Sequence, residues 1–128
     1  MDFFGSYFKW YACPFCYWKD SVTLYQNALK VTSDNWKVHI DLAQTLLVQG
    51  RTAESIQHAA ESVRIKPDCV DAINVLGVVL YYAGRTDEAI TQFNRALQIN
   101  PQCASARKNL NIALVKKQKT QIIQDVNK

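Results

Sequence analysis

A repeat with a fixed period of 34 residues runs through this 128-residue chain and limits its possible folds more than any other feature. The segment 50–56 recurs as 84–90, and the segment 65–69 recurs as 99–103 at the same offset. Such a period is typical of proteins built from stacked supersecondary units. Because one unit cannot bury its apolar face alone, neighbouring units must pack against each other.

Each unit has the pattern of a helical hairpin. Apolar residues follow helical spacing on both sides of a Gly-Arg-Thr turn, so we predict two helices per unit. We expect Gly50 to end the first helix in the left-handed conformation and Thr52 to cap the second. The same residues recur as Gly84 and Thr86, and Pro67 stops the second helix as its copy in the next unit does.

These residues resemble the tetratricopeptide repeat family. The resemblance covers about residues 19–117, and it implies an all-α fold, a right-handed superhelix of stacked antiparallel helical hairpins. The signature positions of the better unit are held by Ile73, Leu76, Gly77, Leu80, Gly84, Ala89, Phe93, Ala96 and Pro101.

The same alignment divides the chain into five parts. Residues 36–69 and 70–103 are full units, and residues 19–35 match a second helix alone. Residues 104–128 supply a capping helix and a basic tail, with polar side chains from Lys116 to Lys119. Residues 1–18 are an aromatic-rich segment of a different kind.

The resemblance implies a protein-interaction adaptor that binds a peptide or protein in a concave groove lined by the first helices. Exposed tyrosines are frequent binding anchors, so Tyr81 and Tyr82 are the better candidates. The alternative is that Ile40, Leu47, Val75 and Val78 pack against neighbouring helices. The groove candidates are Lys37, Ile40, Asp41, Gln44, Asp71, Asn74, Val78, Tyr81, Tyr82, Lys108 and Asn109, with Leu47, Val48, Val75, Ser105 and Ile112 beside them.

Some members of this family hold the carboxylate of a chaperone's C-terminus with a clamp of Lys, Asn and further basic residues. The corresponding places in this chain are occupied by Ile40, Gln44, Val75, Ser105 and Asn109. The resemblance therefore disfavours a chaperone tail as the ligand.

Signatures of catalysis are missing from the sequence: it has no Gly-rich phosphate loop, no HExxH and no GxSxG. We expect no enzyme activity, no cofactor and no metal site, and we expect His39 and His58 to be packing or surface residues. Cys13 and Cys16 form a CxxC, which is half of a zinc motif and leaves a metal- or redox-responsive module as a rival interpretation.

The basic residues lack the density and aromatic interleaving of nucleic-acid surfaces, so no nucleic-acid partner is expected. Nine of the sixteen residues 3–18 are aromatic. This segment could cover the open side of the stack, or it could associate with a membrane surface or with a second copy. We favour association, because Pro14 interrupts a continuous covering helix.

A second resemblance links residues 17–35 to the junction where membrane glycosyltransferases of the protein O-mannosyltransferase type pass into C-terminal repeats. It implies, as the alternative function, a soluble repeat tail of such an enzyme with a regulatory or substrate-docking role. The N-terminus lacks the features of a secretory signal, so we expect the cytoplasm, with membrane association as the alternative.

Overall fold

The computed structural model of the protein describes Gln26 and residues 35–128. Five α-helices follow one another in residues 35–128: α1 (Trp36–Val48), α2 (Thr52–Ile65), α3 (Val70–Tyr82), α4 (Thr86–Ile99) and α5 (Ala104–Val126). Helices α1 and α2 form one antiparallel hairpin, and α3 and α4 form the next. The predicted all-α architecture of stacked hairpins is confirmed.

Glycine ends the first helix of each hairpin in the predicted left-handed conformation. The φ angle of Gly50 is 79° and that of Gly84 is 84°. The Gly50 N–H donates to the Leu47 carbonyl at 3.1 Å, and the Arg51 N–H donates to the Leu46 carbonyl at 2.9 Å. This pair of bonds, repeated at the end of α3, satisfies carbonyls that the helix leaves unpaired and turns the chain into the next helix.

The predicted threonine caps are wrong. Thr52 is the first residue of α2, and Arg51, at the N-cap position, makes no side-chain cap bond. The Arg51 guanidinium instead pairs with the Glu54 carboxylate at 2.6 Å. Thr86 and Arg85 repeat this arrangement in α4. An exposed ion pair thus stands where a threonine cap was predicted. The glutamate lies in the first turn of the helix, where a negative charge is favourable to the helix dipole.

Small residues let the two helices of each hairpin approach closely. In the second hairpin the Phe93 side chain is 1% exposed and its ring lies against Gly77. Ala59 and Ala43 occupy the equivalent positions in the first hairpin, and both are fully buried. There the Ser55 hydroxyl donates to the Ala43 carbonyl at 2.5 Å, so a hydrogen bond accompanies the close approach.

The contacts between helices define two layers. Helix α3 packs against both α1 and α5, so these three first helices lie side by side, with α2 and α4 behind them. Because successive helices are antiparallel, α1, α3 and α5 run parallel. Their N-terminal ends therefore lie at one edge of the row and their C-terminal ends at the other.

The last helix is longer than the others, since α5 has 23 residues whereas α1 to α4 have 13 or 14. The capping helix and the basic tail that the sequence separates are one continuous helix as far as Val126. Across residues 35–128, none of the helices combines the length and the apolar character needed to cross a lipid bilayer.

Candidate partner-binding site

The solvent-facing sides of α1, α3 and α5 form one surface, which we call the first-helix face. It holds ten of the eleven groove candidates, and Ile40 is instead buried in the core. The exposed candidates are Lys37, Gln44, Asp71, Tyr82 and Lys108, and the half-buried ones are Asp41, Asn74, Val78, Tyr81 and Asn109.

A hydrogen bond between two asparagines crosses from one first helix to the next. The Asn109 Nδ2 of α5 donates to the Asn74 Oδ1 of α3 at 3.1 Å. Each side-chain amide has two N–H donors and an oxygen with two lone pairs, so this bond leaves further donors and acceptors on both residues. The pair can therefore hold the backbone of a ligand that lies across α3 and α5.

Two tyrosines and a lysine lie together at the C-terminal end of α3. The rings of Tyr81 and Tyr82 meet edge to face, with their centroids 5.4 Å apart. The Lys116 ammonium of α5 lies 4.3 Å from the centroid of the Tyr81 ring and donates to the Tyr81 carbonyl at 3.3 Å. A lysine at this place also complements the negative end of the α3 dipole. Tyr81 is thus held in place, while Tyr82 remains 67% exposed.

Lys116 was missing from the sequence-based candidates, although the repeat contains the signal for it. It follows Tyr82 by the repeat period, so it is the equivalent residue in the next unit. The polar run that Lys116 begins predicts a solvating cap, whereas the register of the repeat places Lys116 on the first-helix face.

The two edges of the first-helix face differ in chemistry. At the C-terminal edge Val48 occupies the position equivalent to Tyr82 and is 68% exposed. Towards the N-terminal edge lie the exposed charged side chains of Lys37, Asp71 and Lys108. One edge therefore suits an apolar side chain of a ligand, and the other suits polar and charged groups.

Two of the apolar candidates have a structural role. Ile40 is 7% exposed and Val75 is 8% exposed, and both belong to the core that joins the hairpins. Ile40 and Val75 therefore pack against neighbouring helices, which was the alternative to a place in the groove. Leu47 and Val78 are half-buried and keep part of their surface on the first-helix face.

His39 is buried and His58 is half-buried, and the two form a pair that was not predicted from the sequence. Their Nδ1 atoms lie 3.0 Å apart between α1 and α2, within hydrogen-bond distance. Burial lowers the pKa of His39. Burial and then the neighbouring His39 lower the pKa of His58. The antiparallel hairpin brings the two together although 19 residues separate them in the chain.

The predictions for residues 3–18, which include Cys13 and Cys16, and for the partial repeat 19–35 lie outside the described residues, apart from Gln26 and Asn35. Within the described part, Cys69 is buried, Cys103 is half-buried, and both are free thiols. No group of three or more His, Cys, Asp and Glu side chains arranged to hold a metal ion occurs in residues 35–128.

Comparisons of the sequence identify one family. Two family models match, both described as tetratricopeptide repeat, one over residues 18–68 and the other over residues 70–103. No curated protein matches the chain. The resemblance to protein O-mannosyltransferases finds no support in these comparisons.

Solved structures share the fold at low sequence identity. The first TPR domain of Spaghetti (RPAP3), bound to the HSP90 peptide SRMEEVD, has a TM-score of 0.74 and 15% identity, over 88% of this chain and 85% of that one. The second TPR domain of human RPAP3, in complex with the HSP70 peptide SGPTIEEVD, has a TM-score of 0.70 and 16% identity, over 75% and 80%. The Arabidopsis OM64 TPR domain has a TM-score of 0.69 and 23% identity, over 75% and 79%. The two family models that match its sequence, together with its fold, show that the chain belongs to the tetratricopeptide repeat family.

Proposed function

We propose that the chain binds a partner protein by holding an extended segment of that partner against the first-helix face. The observation that carries this proposal is the Asn109–Asn74 bond at 3.1 Å, which joins two neighbouring first helices. A segment that crosses α3 and α5 would meet both amides, and paired amides suit the alternating N–H and C=O groups of an extended backbone.

The contrast between the two edges suggests the character of the ligand. Val48 and Tyr82 expose apolar surface at the C-terminal edge, so an apolar side chain of the ligand lies there. Lys37, Asp71 and Lys108 place charges of both signs towards the N-terminal edge. The proposed ligand is therefore a segment with one apolar anchor and a polar stretch, rather than a uniformly acidic one.

The C-terminal carboxylate of a chaperone is not the ligand that we propose, although two of the similar structures hold chaperone peptides. Of the places that the family's carboxylate clamp uses, Ile40 and Val75 are buried in the core. Asn109 places an uncharged amide where the clamp has a basic side chain. A carboxylate would find no Lys or Arg at any of these places.

The test is selection of binding peptides from a displayed random library, followed by measurement of the dissociation constant. We expect Asn74→Ala combined with Tyr82→Ala to weaken an enriched peptide about tenfold or more, because both an amide and an anchor are removed. The matched control is Gln57→Ala, an exposed residue of α2 in the other layer. Equal binding by the first-helix variant and the wild type, with an unchanged helical signal, would contradict the proposal.

A further inference from the structure

A row of exposed apolar side chains begins on the α5 side of the first-helix face, where Ile112 and Val115 are the repeat equivalents of Val78 and Tyr81. The row continues beyond the repeat to Val126, and we call it the α5 stripe. Successive members are three, seven, one and three residues apart, and with about 3.6 residues per turn these spacings place all five on one side of the helix. The side that packs against α3 and α4 is a different one and contains Ala106, Leu110 and Ala113. The α5 stripe consists of Ile112, Val115, Ile122, Ile123 and Val126, which are 44%, 49%, 61%, 61% and 77% exposed.

This stripe differs from the solvating cap that the sequence predicts. A helix that closes a repeat stack has a polar outer side, because that side faces water. Ile122, Ile123 and Val126 instead extend the apolar surface along the second half of α5. An exposed apolar face of this kind is typical of a helix that meets a partner.

A depression of about 600 Å³ adjoins the stripe, between the end of α3 and the outer side of α5. The Tyr81 ring forms its wall, and Lys116, which lies against that ring, fixes the wall in position. The lining contains two ammonium groups and no carboxylate. It consists of Tyr81, Asn111, Ile112, Val115, Lys116, Lys119, Thr120 and Ile123.

The charge of this region is strongly positive. Residues 104–128 contain six Lys and Arg side chains and one carboxylate, that of Asp125. Lys117 pairs with Asp87 of α4 at 2.6 Å and thus faces the body of the protein. Lys119 lies within the α5 stripe and lines the depression. Positive charge therefore accompanies the apolar surface itself.

We propose that the α5 stripe and its depression dock an amphipathic helix of a partner protein, with apolar residues on one side and acidic residues beside them. Complementary charge selects an acidic partner over a second copy of this chain, whose own α5 would bring the same positive charge. The depression is concave, which fits a helix better than the flat surface of a bilayer. Lys119 also interrupts the apolar row that a membrane would bury.

The experiment uses the full chain and three labelled helical peptides, each about 20 residues long so that the helix can form. The first has Leu and Ile at helical spacing with Glu on the flanks, the second has Lys in place of Glu, and the third is a scramble of the first. Fluorescence anisotropy measures binding. We expect the Glu peptide to bind about tenfold or more tightly than the Lys peptide, and its affinity to fall as salt rises from about 0.05 to 0.3 M.

Two variants that each change the net charge by one unit locate the site. Lys119→Gln should weaken the Glu peptide severalfold, whereas Gln124→Glu, on another side of the same helix, should leave it nearly unchanged. Equal affinity for the Glu and Lys peptides, or no binding of either, would overturn the proposal. A concentration-dependent doubling of mass in light scattering that Val115→Ser abolishes would assign the stripe to a second copy. Binding of anionic phospholipid vesicles without binding of the Glu peptide would assign it to a membrane.

Discussion

A β-carbon on Gly77 would lie 2.5 Å from Cε1 of the Phe93 ring, and two further ring carbons would lie within 2.9 Å. Real β-carbons do not approach other atoms this closely, so the ring occupies the space that any side chain at residue 77 would need. In the first hairpin the equivalent pair is Ala43 and Ala59, where the smaller partner leaves room for a β-carbon. The two helices of each hairpin thus meet at the same place in the repeat, where one hairpin has a glycine and a phenylalanine and the other has two alanines.

The first prediction concerns the contact between Gly77 and Phe93. Gly77→Leu should loosen or unfold the domain, and even Gly77→Ala should cost about 1–3 kcal/mol, because the Phe93 ring is fully enclosed and has little room to move. Thermal melting measures the loss. An unchanged midpoint for Gly77→Leu would show that the helix pairing is not the one described.

A double-mutant cycle sharpens this test. Phe93→Ala alone should cost about 3–5 kcal/mol through the cavity that it leaves. The double variant Gly77→Ala with Phe93→Ala copies the first hairpin, so its cost should be smaller than the sum of the two single costs by about 0.5 kcal/mol or more. Strict additivity would mean that the two residues do not contact each other.

The histidine pair predicts a dependence of stability on pH. Burial lowers the pKa of both His39 and His58 in the folded chain. A histidine with a lowered folded pKa binds a proton more readily when unfolded, so the free energy of unfolding is greatest above the unfolded pKa of about 6.5. It should decrease as the pH falls below that value towards the lowered folded pKa. Protonation of both rings also removes the acceptor that their hydrogen bond needs.

The second repeat unit provides the control for this prediction. Ile73 and Gln92 stand where the first unit has His39 and His58. The variant His39→Ile with His58→Gln should therefore fold, and it should show a flatter free energy of unfolding between about pH 5 and 6.5 in urea titrations. The same slope in the variant and the wild type would assign the pH dependence to other groups.

The tyrosines of α3 should contribute unequally to partner binding. Tyr82→Ala removes a ring that is 67% exposed, so it should weaken binding and leave the melting midpoint nearly unchanged. Tyr81→Ala should affect both, because it also removes the ring beneath the Lys116 ammonium. Binding assays and thermal melting on each single variant separate the two effects. Undiminished binding by the folded double variant would mean that the partner uses another surface.

Deletion of residues 1–17 tests the two interpretations of the aromatic segment, which lies outside the described residues. We predict a folded domain that self-associates less and binds vesicles less, as expected of an association surface. A segment that covers the stack would instead make the deleted protein melt far earlier with the same mass in solution. Light scattering, vesicle sedimentation and thermal melting together distinguish these outcomes.

Much of the fold could be predicted from the sequence, because the features that define it repeat. Gly50 and Gly84 end their helices as predicted, since only the left-handed conformation closes the observed turn. The caps were predicted wrongly because Thr52 is a good N-cap residue in general, whereas the chain enters α2 one residue earlier. A sequence pattern does not fix the end of a helix to within one residue.

Less of the candidate site than of the fold could be predicted from the sequence. The repeat register identifies which positions lie on first helices, but burial decides whether Ile40 meets a ligand or the core. Contacts between residues far apart in the chain, such as Asn74 with Asn109 and His39 with His58, depend on how the hairpins stack. Of the α5 stripe only Ile112 was among the residues predicted from the sequence, because Lys116 to Lys119 end the recognisable pattern, although the apolar spacing resumes after them.

The most direct test of partner binding by the first-helix face is NMR chemical-shift mapping of the labelled chain with a library-selected peptide. We expect the largest amide and side-chain shifts at Asn74, Tyr82 and Asn109, on the solvent-facing side of α3 and α5. The chemical shifts of residues of α2 and α4 that face away from the first helices should change little. Shifts confined to α2 and α4, or to residues outside α1, α3 and α5, would contradict the account.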